Sequence, residues 1–416
     1  MRKVAKCIAG VLFSGVILMA CEFILRVAVG PPTPELVATL PGGEGELIRR
    51  SGEGIQPAYQ DSRKQSAVSA ERLDGKRRVL WVGGSSIHGG TQGIAIAEEA
   101  PGRLAALLGV ESVNFGGIGM DTISIGAILD DALSIQPDVL VVYSGHNEFG
   151  NAVFTGRYGD AQTARLSKIR ARLGASRLYQ FLEMAIRGRE TMALPSAATE
   201  GQFTVDAARR TEVYRRYEER LRHIVGRASA AGVPVVLVTL MSNPVAPSIE
   251  FSCPEAVKRA GFTAVRPEAL AVDGLRETDL AAAEQLAPGC ADLRWIRARR
   301  AGDRAALDAL RDADPLPVRA DSTLNGVVRR VAAETGATLV DADGFARMAG
   351  NGLEPSAWFL DPMHFTIAGH DALARMVAQG VAPLLALRPP PLAPSPSAEL
   401  DLAGCAAEGC RERRDF

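Results

Sequence analysis

The chain has 416 residues, 47% of them apolar, enough for one large domain or two modest ones with a sizeable core. Lys plus Arg (47) nearly balance Asp plus Glu (48). That balance removes the electrostatic case for nucleic acid or another polyanion as the main partner and favours a neutral or weakly charged substrate.

Arg2, Lys3 and Lys6 precede an apolar stretch from Cys7 to Cys21, and Glu22 and Arg26 interrupt it before Val27 to Gly30. A basic head followed by such a run is an export signal. Glu22 and Arg26 stand four apart and can pair on one helical face. Residues 1–30 then act as an uncleaved anchor, with Val4 to Val29 near the minimum bilayer-spanning length. Alternatively, Leu18-Met19-Ala20-Cys21 resembles a bacterial lipobox that would make Cys21 a lipidated N-terminus, or cleavage leaves a soluble secreted form. Each outcome puts the rest of the chain outside the cytoplasm, and the first two tether it to the membrane on the periplasmic side. Six cysteines fit that compartment: Cys253 and Cys290 are a candidate disulfide, and Cys405 and Cys410 either pair or remain free thiols.

Residues 31–75, opening Pro31-Pro32-Thr33-Pro34, read as a linker. From residue 76 apolar β-rich runs alternate with helical patterns. Strands are expected at Arg78–Val82, Ser112–Phe115, Val139–Tyr143, Val235–Thr239 and Thr338–Val340. Helices are expected at Ala100–Leu108, Thr122–Leu133, Val205–Ala230 and Leu324–Glu334. Continuous apolar strands alternating with helices predict a parallel sheet covered on both faces, a three-layer α/β/α fold. Between the fourth and fifth strands, at about residues 242–320, the spacing exceeds a normal crossover and holds helical segments at Leu280–Leu286 and Ala298–Leu310. This helical insertion is either a cap shaping the substrate entrance or a packing ornament. Thr366–Gln379 closes the domain, at about residue 385, as a helix, and residues 386–416 read as a Pro-rich disordered tail.

Four segments carry chemistry. Gly83-Gly84-Ser85-Ser86 follows the first strand, and its glycines allow a sharp turn that exposes the hydroxyl. A phosphate loop would need a Gly-Lys-Ser/Thr ending, but no lysine lies between Lys76 and Lys168. Gly83, Gly84, Gly89 and Gly90 also lack dinucleotide-loop spacing, and Ile87 replaces the last glycine of the Gly-x-Ser-x-Gly elbow. Serine attacks only when a base takes its proton. In Asp361-Pro362-Met363-His364 the proline fixes a turn, and a separation of three brings the carboxylate back to one imidazole nitrogen. The other nitrogen is then free to serve Ser85; the same turn also suits a helix start. Gly119 and Asn147 end the second and third strands, where a glycine N–H and an Asn amide suit a developing oxyanion, with the Ser85 N–H as a third donor. Gly84, His88, His146 and Glu148 stand in or beside these segments as substrate-contact candidates. His223 and His370 read as surface or packing residues, and the dispersed Cys and His leave no metal centre expected.

Together the segments resemble the SGNH, or GDSL-type, hydrolase superfamily. Its first block, Gly-Asp-Ser-Leu or Gly-Gly-Ser-Ser, matches Gly83 to Ser86, and its second-block glycine matches Gly119. Its third block, Gly-x-Asn-Asp/Glu, matches Gly145 to Glu148, and its last, Asp-x-x-His, matches Asp361 to His364. The match runs in order over roughly residues 76–385; Gly84 replaces the frequent aspartate and Glu148 the frequent terminal aspartate. The resemblance implies a flavodoxin-like fold, a Ser85-His364-Asp361 triad, an oxyanion hole from Ser85, Gly119 and Asn147, and no metal or cofactor. The start with Glu22-x-x-x-Arg26, together with the Gly-His-Asn-Glu block and the insertion, resembles a bacterial exported, membrane-tethered subgroup. The expected function is an exported serine ester hydrolase acting on acyl or acetyl esters of a small molecule or glycan. The same acyl-enzyme resolved by a sugar hydroxyl would make an O-acetyltransferase of envelope or exported polysaccharide. A non-catalytic envelope binding module would be marked by loss of Ser, Asn or His from the blocks, and all are present.

Overall fold

The computed structural model describes residues 18–28, 48–51, 54–57, 68, 75–89, 93–154, 176, 178–179, 205–243, 277–286, 291–314, 317–350 and 354–392. Within the stretch read as a linker, β1 (Ile48–Ser51) and β2 (Gly54–Pro57) pair as an antiparallel ribbon, with Ser51 opposite Gly54. The linker therefore carries structure of its own, closed by a two-residue connection too short to show periodicity.

The central sheet consists of β3 (Arg78–Gly83), β4 (Glu111–Gly116), β5 (Val139–Tyr143), β6 (Val235–Val238) and β7 (Thr338–Val340). All pairings are parallel, in the order β4-β3-β5-β6-β7. Every residue of β3, β5 and β6 is buried, as expected where helices cover both faces. The helices are α1 (Ala100–Leu108), α2 (Thr122–Leu133), α3 (Glu148–Phe154), α4 (Ala207–Ala230), α5 (Glu277–Leu286), α6 (Ala291–Ala301), α7 (Arg304–Asp312), α8 (Ser322–Thr335), α9 (Ala342–Ala349) and α10 (Ile367–Leu384). One layer packs α1 against α10, and the other packs α2 and α8 against α4. The fold is α/β, doubly wound in the flavodoxin-like order. The winding reverses between β3 and β5, opening a crevice beyond their carboxyl ends, where open α/β sheets bind ligands.

The helix starts have a common cause. Asp121, Asp206, Asp303, Asp321, Asp341 and Thr366 each accept the backbone N–H three residues on, meeting one of the donors a helix leaves unpaired in its first turn. The Asp206 cap places the start of α4 at Ala207 rather than at Val205. Asp303 likewise divides the segment expected at Ala298–Leu310: α6 ends at Ala301, and α7 begins at Arg304 behind its own cap. The short α3 and α9 carry too few turns to show helical periodicity.

At residues 18–28 the chain is helical, and Arg26 Nε donates to Glu22 Oε1 at 2.6 Å, the pairing their spacing predicts. Leu18, Met19, Phe23, Ile24 and Val27 are exposed around that pair. Among the described residues no helix is long and apolar enough to cross a membrane, and residues 1–17, which include most of the apolar run, lie outside them. Cys253, Cys290, Cys405 and Cys410 also lie outside the described residues.

Candidate active site

Ser85 opens the turn that follows β3. The turn closes with Ile87 N donating to Gly84 O at 3.3 Å and His88 N to Ser85 O at 3.0 Å. Asn114 on β4 braces it, its Nδ2 donating to Ile87 O at 2.8 Å while its Oδ1 accepts from Gly116 N.

His364 reaches Ser85 from the other end of the chain. A bridge between Phe359 and Phe365 and a bond from Leu360 N to His364 O at 2.8 Å fold residues 359–365 into a tight loop. Inside it Asp361 Oδ1 accepts from Met363 N and from His364 N, each at 2.8 Å. Its Oδ2 lies 2.5 Å from His364 Nδ1, and His364 Nε2 lies 2.8 Å from Ser85 Oγ. With Nδ1–H donated to the carboxylate, Nε2 is left as the acceptor for the serine proton. Burial works to raise the Asp361 pKa, but the hydrogen bond and charge of His364 and the two backbone N–H groups outweigh it, holding the carboxyl below its ordinary range. Asp361 therefore stays anionic at neutral pH.

Gly119 and Asn147 lie in the turns that follow β4 and β5. Gly119 sits in a turn with φ +68°, a conformation that side chains rarely adopt. Asn147 Nδ2 donates to Met120 O at 2.9 Å, which fixes the amide by one of its two hydrogens. Gly84 is a close-approach position: a Cβ there would stand 2.7 Å from Asn147 Nδ2 and 3.2 Å from Met120 O. Its absent side chain makes room for the Asn147 amide.

Asn151, one helical turn beyond Asn147, was not singled out by sequence. Its Nδ2 donates to Gly119 O at 2.7 Å and to Asp121 Oδ2 at 2.9 Å, locking the glycine turn to the start of α2. The available signal was its i+4 spacing from Asn147 on a common helix face.

The remaining candidates are drawn inward. His146 is 4% exposed and its Nδ1 accepts from Ala320 N at 3.1 Å. Burial first, then the nearby His364, pulls its pKa down to about 3, so it is a neutral imidazole holding the start of α8. His88 is 1% exposed. Both carboxylate oxygens of Glu148 face Thr122, accepting from its N at 2.8 Å and its Oγ1 at 3.0 Å. Glu148 lines a small cleft with Asp121, Ile123, Ala152, Val213, Arg216 and Arg220, and no triad residue lines it. His88, His146 and Glu148 are thus all buried side chains, His146 bonded to Ala320 and Glu148 to Thr122. His223 is exposed, and buried His370 accepts from Ala100 N at 3.2 Å, joining α10 to α1. Among the described residues no group of three or more His, Cys, Asp or Glu side chains could hold a metal ion.

Burial, and next the charge of Asp121, raises the Glu148 pKa to about 7. A carboxyl raised from an unfolded value near 4.5 contributes stability that is fully present below that value and lost as pH rises through about 7. Glu148→Gln keeps an acceptor for Thr122 N and removes the titration. Its stability is expected to gain on that of the parent as pH rises from 5 to 8, by an amount on the order of a few kcal/mol, with the melting temperature following in the same direction. Parallel pH profiles in a thermal-melt series would contradict this.

No protein-family profile matches the chain. No curated protein matches it significantly by sequence. Solved structures similar to it include the acetyl xylan esterase AlAXEase, at 12% identity and a TM-score of 0.38, covering 73% of this chain and 99% of that one. A GDSL-like lipase from Bacteroides thetaiotaomicron VPI-5482 is 10% identical with a TM-score of 0.36, covering 74% of this chain and 90% of that one. The acetylxylan esterase Axe2 from Geobacillus stearothermophilus is 14% identical with a TM-score of 0.37, covering 74% and 94%. At such identities and scores an activity does not transfer from one chain to another.

Proposed function

We propose that the protein is a serine ester hydrolase held at the membrane with its catalytic domain on the periplasmic side. The observation that carries the chemistry is the continuous line from Ser85 Oγ to His364 Nε2 and from His364 Nδ1 to Asp361 Oδ2, at 2.8 and 2.5 Å. Ser85 Oγ attacks the ester carbonyl carbon as His364 Nε2 takes its proton, and the anionic Asp361 stabilises the imidazolium that forms. The carbonyl oxygen becomes an oxyanion, for which the Ser85 and Gly119 N–H groups and the second Asn147 amide hydrogen are the donors. Collapse expels the alcohol with the proton returned by His364, leaving an acyl group on Ser85. Water, activated by His364, then releases the acid and restores the serine.

The export reading rests on Arg2, Lys3 and Lys6 ahead of the apolar run and on the exposed apolar residues of the helix at 18–28. The near-balanced charge suits a neutral acyl or acetyl ester of a small molecule or glycan. Labelling the full-length protein in detergent with a fluorophosphonate, followed by mass mapping, tests the site: a single adduct on Ser85 is expected. Released acetate identifies a hydrolase, whereas acetyl appearing on an oligosaccharide in competition with water identifies an O-acetyltransferase. A folded protein that takes no label would point to the binding-module reading.

A further inference from the structure

Arg319, at the end of the insertion, is 1% exposed, yet among the described residues it makes no ion pair. Its Nη1 donates to Asn243 O at 2.6 Å, while Nε and Nη2 are buried without a hydrogen-bond partner. Burial lowers its pKa to about 10, so it remains a cation at neutral pH. A buried, under-bonded guanidinium costs stability, and an apolar side chain of similar volume would be tolerated as well or better. Its retention therefore needs a reason other than stability.

The bonds around it supply one. Asn243, which follows β6 near the start of the insertion, donates from its N to Pro362 O at 2.9 Å, in the middle of the Asp361–His364 loop. Arg319 thus joins the two ends of the insertion, and the joint is bonded to the loop that carries the base. Trp295 of α6 lays its ring over the guanidinium, 4.9 Å from Cζ to the ring centroid, so the body of the insertion rests on the same group. The next residue, Ala320, donates to His146 Nδ1 and ties the joint to the block that holds Asn147.

We propose that Arg319 is a positioning residue for His364: through Asn243 it sets the Asp361–His364 loop against Ser85 and couples that setting to the seating of the insertion. This rests on the ester-hydrolase reading only for its kinetic readout. A displacement of about 1 Å in a catalytic group far from the mutated site is enough to cost about 10²-fold in rate.

The test uses the full chain in detergent with Arg319→Met and Arg319→Lys, on a small activated ester and by proton NMR of the His364 Nδ1–H resonance. Arg319→Met is expected to melt no lower than the parent while kcat falls about 10²-fold and KM stays within about twofold. The downfield Nδ1–H signal should shift or broaden, and Arg319→Lys, which keeps a donor for Asn243 O, should recover part of both. Parental kcat with an unmoved resonance in Arg319→Met would overturn the proposal. So would loss of kcat in step with loss of folding and without recovery in Arg319→Lys. If the parent protein itself turns over no ester, the hydrolase reading fails, and the resonance still decides whether Arg319 positions the loop.

Discussion

Ser85→Ala should lose ester turnover by roughly 10⁶-fold in kcat, with an unchanged melting temperature and no fluorophosphonate adduct. Ser85 is 8% exposed and its hydroxyl is partnered by His364 Nε2, so removing it leaves the neighbouring hydrogen bonds of Asp361 and the loop intact. His364→Ala should cost a similar amount, because the serine is inert without a base. The double variant should be no worse than either alone, since the two groups act as one unit. Asp361→Asn keeps the loop but cannot hold the Nδ1–H tautomer, and should fall by about 10⁴-fold. Turnover by Ser85→Ala at the parental rate, measured on any ester the parent cleaves, would end the assignment.

Asn147→Ala is expected to cost about 10²–10³-fold in kcat with little change in KM, because the amide meets charge that develops only as the carbonyl is attacked. Gly84→Ala should move in the same direction without touching any reacting group. Its new Cβ would fall 2.7 Å from Asn147 Nδ2 and 3.2 Å from Met120 O, the atom that holds the amide, so the Asn side chain has to shift. Steady-state kinetics on both variants decide this. A fall in kcat for Asn147→Ala but not for Gly84→Ala would mean that the amide tolerates displacement, and parental kcat in both would remove Asn147 from the oxyanion site.

The centre of the sheet was legible because β3, β5 and β6 are buried throughout and so read as unbroken apolar runs; β5 and the more open β7 begin and end where Val139–Tyr143 and Thr338–Val340 predict. The starts of α2, α4 and α8, each capped by an aspartate, were legible to within two residues, whereas the Asp303 and Asp341 caps of the short α7 and α9 were not. The juxtaposition of Ser85, His364 and Asp361 was also readable, since Asp361 and His364 are close in sequence and their turn is local. What escaped was whatever depends on tertiary packing. Nothing in the spacing of Glu148 reveals that Thr122 engages both its oxygens, and His146 looks like a contact residue until Ala320 is folded onto it. Arg319 is one arginine among many in an Arg-rich insertion, and its burial without an ion pair among the described residues appears only once the chain has closed around it.

Ser85 and His364 are separated by 279 positions, and the helix that follows the histidine packs on α1 at the far end of the chain's path. The reactive pair is therefore one of the longest-range contacts in the molecule, and contacts of that kind form late in folding. A chain still being synthesised has Ser85 but not yet His364 beside it. On the ester-hydrolase reading, cleavage would therefore begin only when the last helix has docked, and the topology would keep an incomplete chain inactive.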